Sequence, residues 1–455
     1  MENKPKIDKE FIENLIQIIE DQNTEQALEI TQVLHAADLA EIYNALTIDQ
    51  AKFLYLLLDQ EKAGDVLIEL DEHARERFLD SLPSDVIARQ FIHEMDSDDA
   101  ADVIGDLSEE KQEEILALIS NKEQAGDIVD LLNYDEDSAG GLMAKEFVKV
   151  EEGWDIEHCI QEIRTQAEVV VELYFVYVVN QYNKLIGLIS LKDLLLNNPK
   201  KPIDSFINRD VISVKTDESA EDVARIMDKY DLVAIPVVDS IGRLVGRITI
   251  DDVVDVMREA AEKDYQLISG ITSDVESSDR VWTITRARLP WLVIGLFGGI
   301  LGARVIEIYE FDLGIYPQLA FFIPLIAAMA GNVGIQSSSI IVQSIAANVF
   351  EVESTLKKLM KELSVGLMNG IICAALLFGY NWLTASSMDL TIAVSISLLA
   401  VILFASFFGT LIPILLNKAK IDPALATGPF ITTMNDIVGL LIYLNIGRMI
   451  FNLHL

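Results

Sequence analysis

Residues 422–443 read DPALATGPFITTMNDIVGLLIY. From Ala424 to Ile450 the run is apolar and exceeds the ~20 residues a helix needs to cross a bilayer. One carboxylate, Asp436, stands in its middle. A charge held at that depth is costly and marks a working position. Gly428, Thr432, Asp436 and Gly439 fall at i, i+4, i+8 and i+11, one face of a helix, with Thr433 beside them. A narrow face of small and polar residues carrying one carboxylate suits the wall of a water-filled cation path. The competing reading is a protonated Asp acting as polar glue between helices. The Gly and Thr neighbours keep the face open and favour the first reading.

Four further apolar runs precede this one, at 290–305, 317–333, 363–383 and 390–416. The first is short, and the second holds Pro324. Kinks, or a bend at Gly331-Asn332-Val333-Gly334, therefore stay open. Arg286 and Arg288 precede the first run, Lys357, Lys358 and Lys361 separate the second from the third, and Lys418 and Lys420 separate the fourth from the fifth. The alternate loops carry Glu307, Glu310, Asp312 and Asp389, with Arg304 their one basic residue. This asymmetry places the N-terminal part and the Lys loops in the cytosol. The expected location is the cell (inner or plasma) membrane, multi-pass, with the short tail FNLHL outside.

Outward from the membrane part the composition changes. The formal charge of the 455 residues is −37, yet residues 281–455 hold 9 basic and 9 acidic residues, so the preceding part carries the whole excess. Such a part repels nucleic acid and attracts cations, although an acidic balance also serves plain solubility. Cys159 and Cys373 form no disulfide framework and fit a reducing compartment. The opening MENKPKIDKE has no apolar core, so no signal peptide is expected.

The acidic part repeats itself twice. FVYVVNQYNKLIGLISLKDL (175–194) and AIPVVDSIGRLVGRITIDDV (234–253) match at a fixed offset of 59: Val178 with Val237, Asn180 with Asp239, Leu185 with Leu244, Gly187 with Gly246, Ser190 with Thr249 and Asp193 with Asp252. Each copy reads strand, turn, strand, helix, and a further strand and helix precede it in FVKVEEGWDIEHCIQEIR and VISVKTDESAEDVARIM. The duplication resembles a tandem pair of CBS domains. Upstream, residues 10–133 read as helical throughout. Ala63, Asp65, Val66, Leu70, Leu79 and Leu82 recur 37 residues later as Ala100, Asp102, Val103, Leu107, Leu116 and Ile119, the mark of an α-solenoid of either hand. YDEDSAGGLM, from Tyr134, reads as the linker to the first CBS unit.

Other residues join Asp436 as candidates. Asn332 in GNVGIQSSS offers a carbonyl oxygen between glycines that permit close approach, or equally packing glue. Mg²⁺ gives up water reluctantly and is held by one or two carboxylates with waters retained, which matches a polar lining of Asp436, Thr432, Thr433 and Asn332. The membrane part has no cluster of Cys or His for a soft metal. In DDVVDVMREAAEKDYQ, Asp251, Asp255, Glu259 and Glu262 share one helix face. Like charges at i, i+4 weaken a helix by a few tenths of a kcal/mol per pair unless divalent ions shared with an opposing acidic surface reverse the sign. HEMDSDDAAD, with Asp96, Asp98, Asp99 and Asp102, is a candidate for that surface. A solvated face for the first, and a capped helix start at Asp98 and Asp99 for the second, are the plainer alternatives.

The order of these parts resembles the MgtE family of magnesium channels. YDEDSAGGLM, GRLVGRITIDDVVDV, GNVGIQS and DPALATGPFITTMNDIVGLLIYL carry the likeness over nearly the whole chain. The expected architecture is a multidomain α and α+β membrane protein. It comprises an acidic helical N domain (1–133), two CBS domains (134–200 and 201–256), a connecting plug helix (257–285) and a five-helix transmembrane pore domain (286–455). The resemblance implies a homodimer in the bilayer with the pore on its two-fold axis and Asp436 of each subunit binding hydrated Mg²⁺. It further implies regulatory Mg²⁺ between the plug helix, the CBS pair and the N domain, held by Asp251, Asp252, Asp255, Glu259, Glu262, Asp98, Asp99 and Asp102. ATP in the CBS cleft occurs in some members, with Ser190, Asp193, Thr249 and Asp252 as weak candidates for a ribose contact. Two departures stand out: Ala330 replaces a Gly common in the family, and Arg258 interrupts the acidic face of the plug helix. A coupled secondary transporter of Mg²⁺, Mn²⁺ or Co²⁺ and a membrane-tethered CBS nucleotide sensor remain as alternatives. No P-loop, G-x-S-x-G or H-E-x-x-H motif argues for an enzyme.

Overall fold

The computed structural model describes residues 7–167, 170, 173–272, 275, 280–346, 355–384, 386–426 and 428–451. The chain divides into two compact units, Met1–Arg258 and Glu259–Leu455.

The first unit opens with short helices from Lys9–Glu20 to Lys122–Leu131, with no strand among the described residues of that stretch. Several start on a side chain that takes up an orphan backbone N–H: Asp8, Asn23, Asp59 and Asp71 accept from Phe11, Gln26, Lys62 and Ala74. The 37-residue recurrence is structural, since Gln60–Ile68 corresponds to Ser97–Gly105 and Glu72–Asp80 to Glu109–Leu118. Ala63, Val66, Leu70, Leu79 and Leu82 are buried, as are Ala100, Val103, Leu107 and Ile119. Such helices are too short to persist alone and owe their stability to the buried face. An edge-to-face series of Tyr55, Phe78 and Phe91, with centroids 5.3 and 5.7 Å apart, runs through the stack. Tyr55 donates its hydroxyl to the Leu39 carbonyl at 2.9 Å, so its polar end is satisfied inside.

The CBS repeat folds as two three-stranded sheets. The first contains β1 (Lys149–Glu151), β2 (Val176–Val179) and β3 (Leu185–Ile189); the second contains β4 (Val214–Lys215), β5 (Ala234–Val238) and β6 (Leu244–Thr249). In each, the first pair is parallel and the second antiparallel. The ladder slips between Val178 and Val179 and again between Val237 and Val238, the same offset of 59 as in the sequence. The two hairpin tips clasp each other: Leu185 N–H donates to Gly242 O at 3.1 Å, and Leu244 N–H to Asn183 O at 2.9 Å. Asn183 (φ 59°) and Gly242 (φ 84°) hold the left-handed conformation these tips need. The segment after Tyr134 precedes the first CBS unit in the chain but bonds to the second. Ala139 and Gly140 N–H reach Glu218 and Thr216 carbonyls, and Ala144 pairs with Arg247.

The second unit has five helices long and apolar enough to span a membrane: helix 1 Val281–Ile308, helix 2 Pro317–Ile345, helix 3 Thr355–Leu383, helix 4 Met388–Lys418 and helix 5 Gly428–Ile450. Helix 4 is the most enclosed, with Val394, Leu398, Val401 and Ile402 in the core beside Ile326 and Tyr443. Helix 1 is longer than its apolar run because its first turns carry Arg286 and Arg288. The α-helix runs unbroken through Gly331–Gly334. The α-helical part of helix 2 starts at Ile323, so Pro324 falls in the first turn, where its missing N–H costs nothing. Helix 5 is tied by polar bonds to the first loop, where Arg448 Nε donates to Asp312 at 2.7 Å, and to the start of helix 2, where Tyr443 OH donates to Leu319 O at 2.7 Å.

Candidate metal centres

In the membrane unit, helix 5 approaches helix 2 through glycine. A Cβ on Gly331 would lie 3.1 Å from Thr432 Cγ2 and 3.7 Å from Asp436 Oδ1. The Asp436 carboxylate and Thr432 therefore flank the bare backbone of Gly331. Both are half-buried, and Asn332, the next residue, is exposed on the single chain. Thr432 Oγ1 donates to Gly428 O at 2.9 Å. Thr433 takes a different part: it packs against Gly298 of helix 1. Asn435, adjacent to Asp436 in sequence, is fully buried; its Nδ2 donates to Ala330 O at 3.3 Å, and its Oδ1 finds no hydrogen-bond partner among the described residues. Helical geometry thus separates a buried stripe (Ile431, Asn435, Gly439) from an adjacent polar stripe (Thr432, Asp436).

In the cytosolic unit, the Ser97–Gly105 helix turns its start toward the CBS pair. Asp96 occupies the cap position, but its side chain makes no capping bond, and Asp98 and Asp99 lie inside the first turn. The capped-start reading holds in part: Asp98 Oδ1 accepts from the Asp99 N–H of the first turn at 3.0 Å. Ser97 Oγ instead donates to Glu146 Oε2 at 2.8 Å and accepts from the Lys145 amide at 2.9 Å. One oxygen each from Asp96, Asp98 and Glu146 lies within 4.8 Å of the others, a separation a partly hydrated divalent ion can span. Glu146 had no sequence signal of its own, standing isolated in AKEF.

Electrostatics agree with this geometry. Burial, then Glu146, pushes Asp96 up to about 6. Burial, then Asp252 and Asp102, takes Asp99 to about 8. Asp98 is driven well above the carboxylate range by burial, Asp99 and Asp252. Asp252 is raised by burial even though it accepts from Thr249 Oγ1 at 2.8 Å and Thr249 N at 3.0 Å. Asp102 goes to about 7 through burial and Glu136, but its residue reaches solvent, so Asp98 and Asp99 carry more weight. Burial and mutual repulsion both work against the charged form of these apposed carboxylates. Of the connecting-helix acids, Asp251 and Asp255 lie in this unit with Asp252, while Glu259 and Glu262 lie on the continuation of the Ile250–Ile268 helix in the second unit.

The profile of the MgtE divalent cation transporter domain matches residues 323–446, that of the MgtE intracellular N domain residues 34–137, and that of the CBS domain residues 139–198 and 203–259. The magnesium transporter MgtE of Thermus thermophilus is 31% identical over 96% of this chain and 98% of its own. The chain belongs to the MgtE family. The Bacillus subtilis magnesium transporter MgtE is 30% identical over 96% of the chain and 97% of its own. A crystal structure of the cytosolic domain of the Mg²⁺ channel MgtE in complex with ATP aligns with 54% of the chain and 99% of that domain at 32% identity and a TM-score of 0.51.

Within this MgtE chain the Ser190–Asp193 and Thr249–Asp252 pairs have a structural task already. Ser190 caps the Leu191–Leu196 helix, accepting from Asp193 N–H at 3.1 Å, and its hydroxyl bonds the Asp193 carboxylate at 2.7 Å. At the start of the connecting helix the Asp252 carboxylate likewise accepts from the Thr249 hydroxyl at 2.8 Å, and also from Thr249 N–H at 3.0 Å. Arg258 pairs with Asp255 at 3.2 Å, both exposed, so it removes one charge from the acidic face at little energetic gain.

Proposed function

We propose that this MgtE protein conducts Mg²⁺ across the cell membrane as a homodimer, and that cytosolic Mg²⁺ bound at the acidic N-domain and CBS surfaces closes the path. The observation that carries the reading is the Asp436 carboxylate beside Thr432 over the glycine backbone of helix 2. A carboxylate beside bare backbone, with no soft ligand next to it, suits an ion that keeps most of its water. Two subunits would place two such carboxylates about one axis. The regulatory half rests on Asp96, Asp98 and Glu146, with Asp99 and Asp252 close by, where two parts of the chain that repel when metal-free would be joined by divalent ions. The exposed row of Asp251, Asp255, Glu259 and Glu262 extends that surface along the connecting helix. ATP in the CBS cleft is part of the same proposal, in line with the ATP complex of the related cytosolic domain.

Liposomes carrying the purified protein and a Mg²⁺-sensitive dye test the reading. Uptake should follow the Mg²⁺ gradient, without need of a proton or sodium gradient. No uptake, or uptake only with a coupling gradient, would remove the channel assignment.

A further inference from the structure

Position 247 breaks the duplication of the CBS pair. At the offset of 59 its counterpart is Leu188, which faces Tyr177 across the ladder and packs with it. In the second copy the residue is Arg247, only 5% exposed on a strand whose neighbours Leu244 and Ile248 are core. Burying a guanidinium in a sheet is expensive unless negative groups surround it. Its surroundings supply them. Arg247 and Ala144 exchange backbone hydrogen bonds at 2.8 and 3.0 Å, and Glu146 lies two residues beyond Ala144. Two residues along β6, on the same face, Thr249 holds the Asp252 carboxylate at 2.8 Å. Ser97 binds Glu146 and brings Asp96 of the N domain to the same place. The field of Arg247 acts on Asp96 and Asp252 alike, opposing the upward push of burial on both. Two other nearby cations are engaged elsewhere, Lys145 with Asp130 at 2.5 Å and Arg75 with Asp106 at 2.7 Å.

We infer that Arg247 is a built-in counter-cation of the N-domain/CBS contact, which supplies one of the positive charges the apposed carboxylates require and so sets how much of the contact survives without divalent ions. The inference rests on the proposed reading of this contact as the Mg²⁺-sensitive one. A tethered cation has no concentration to fall. It keeps a fraction of the contact closed in metal-free protein, and its effect shrinks when bound ions neutralise the same carboxylates. Position 247 thereby sets the baseline of regulation, while the carboxylates set its response.

The test is trypsin cleavage after Lys145 in the full-length protein in lipid nanodiscs, scored by mass spectrometry, because Lys145 is tied into the contact by Ser97 and Asp130. Wild type, Arg247→Met, Arg247→Lys and the double variant Arg247→Met/Asp96→Asn are compared in EDTA. In EDTA, Arg247→Met should be cut about threefold faster or more. Arg247→Lys, which keeps the charge, and the double variant, which removes one opposing charge, should both return toward the wild-type rate. In saturating MgCl₂, Arg247→Met and wild type should be cut equally slowly. Equal rates for Arg247→Met and wild type in EDTA would overturn the inference. So would a fast rate in MgCl₂ with no rescue by Asp96→Asn, which marks a packing role alone. Wild type cut equally with and without MgCl₂ would defeat the Mg²⁺-regulated contact itself, while the EDTA series still decides on Arg247.

Discussion

Asp436 shows what one residue can do when its neighbours are small. Gly331 carries no side chain to crowd it, and Thr432 packs its methyl against the same glycine. Asp436→Ala should cut Mg²⁺ flux at least tenfold while size-exclusion chromatography still shows the assembled protein; dye-loaded liposomes measure the first. Undiminished flux would remove Asp436 from the path. Its neighbour Asn435 acts in packing. Asn435→Leu loses the bond to Ala330 O and forces branched bulk against Gly334, so the expected cost is about 1–3 kcal/mol. A lowered melting temperature with the residual flux per folded molecule unchanged would distinguish it from Asp436.

Among elements, the Ser97–Gly105 helix is the one placed under electrostatic load. Its first-turn aspartates sit at the N-terminal end, where the helix dipole favours negative charge, but three carboxylates from other segments crowd the same space. With Asp96 at about 6 and Asp99 at about 8, against about 4 in the unfolded chain, the folded state binds more protons across that interval. Stability conferred by these groups is therefore fully present below pH ~4 and is lost as pH rises toward 8 in metal-free protein. Hydrogen exchange of this helix in the full-length protein in EDTA should be slower at pH 6 than at pH 8, after correction for intrinsic rates. Saturating Mg²⁺ should flatten the trend, since the ion replaces the protons. An EDTA trend of opposite sign would show that the carboxylates are not mutually repelling. Helix 1 and helix 5 meet through a different device: Gly298 receives Thr433, and an added Cβ has no room. Gly298→Val should separate the two helices and abolish assembly of the membrane unit, whereas Gly295→Val, on an open face, should not; chromatography of the two variants compares them directly.

At the scale of the whole molecule, charge and hydropathy are segregated along the chain. In the proposed reading the membrane helices contain the path, and the acidic part contributes contacts that depend on cations. Removal of residues 1–133 should leave conduction and weaken its inhibition by cytosolic Mg²⁺, read as patch-clamp open probability against Mg²⁺ on the cytosolic side. A truncated protein that inserts normally but passes no current would show that the N domain is needed for conduction. Neutralising Asp251, Asp255, Glu259 and Glu262 together should shift the Mg²⁺ response to higher concentration without changing the maximal current. Each exposed pair is worth only a few tenths to one kcal/mol, but several together move a two-state equilibrium whose states lie a few kcal/mol apart.

Sequence alone determined what depends on local composition and period. Five apolar runs, a duplication at offset 59, a helical recurrence at 37 and one carboxylate inside helix 5 all leave a one-dimensional trace, because burial in lipid or in a repeated core constrains residue type directly. Three features were decided by tertiary structure. The glycines of helix 2 allow a bend in sequence but serve as close-packing surfaces in an unbroken helix, since the partner side chains, Asn435 and Thr432, come from about a hundred residues away. The segment after Tyr134 precedes the first CBS unit but pairs with the second, because hydrogen-bond partners follow spatial neighbours rather than chain order. Glu146 has no motif around it, and nothing in GRLVGRITIDDVVDV singles out Arg247: their proposed roles arise when the 97–105 helix, the 144–146 segment and β6 converge, because Coulomb energy depends on distance and local dielectric in the folded chain.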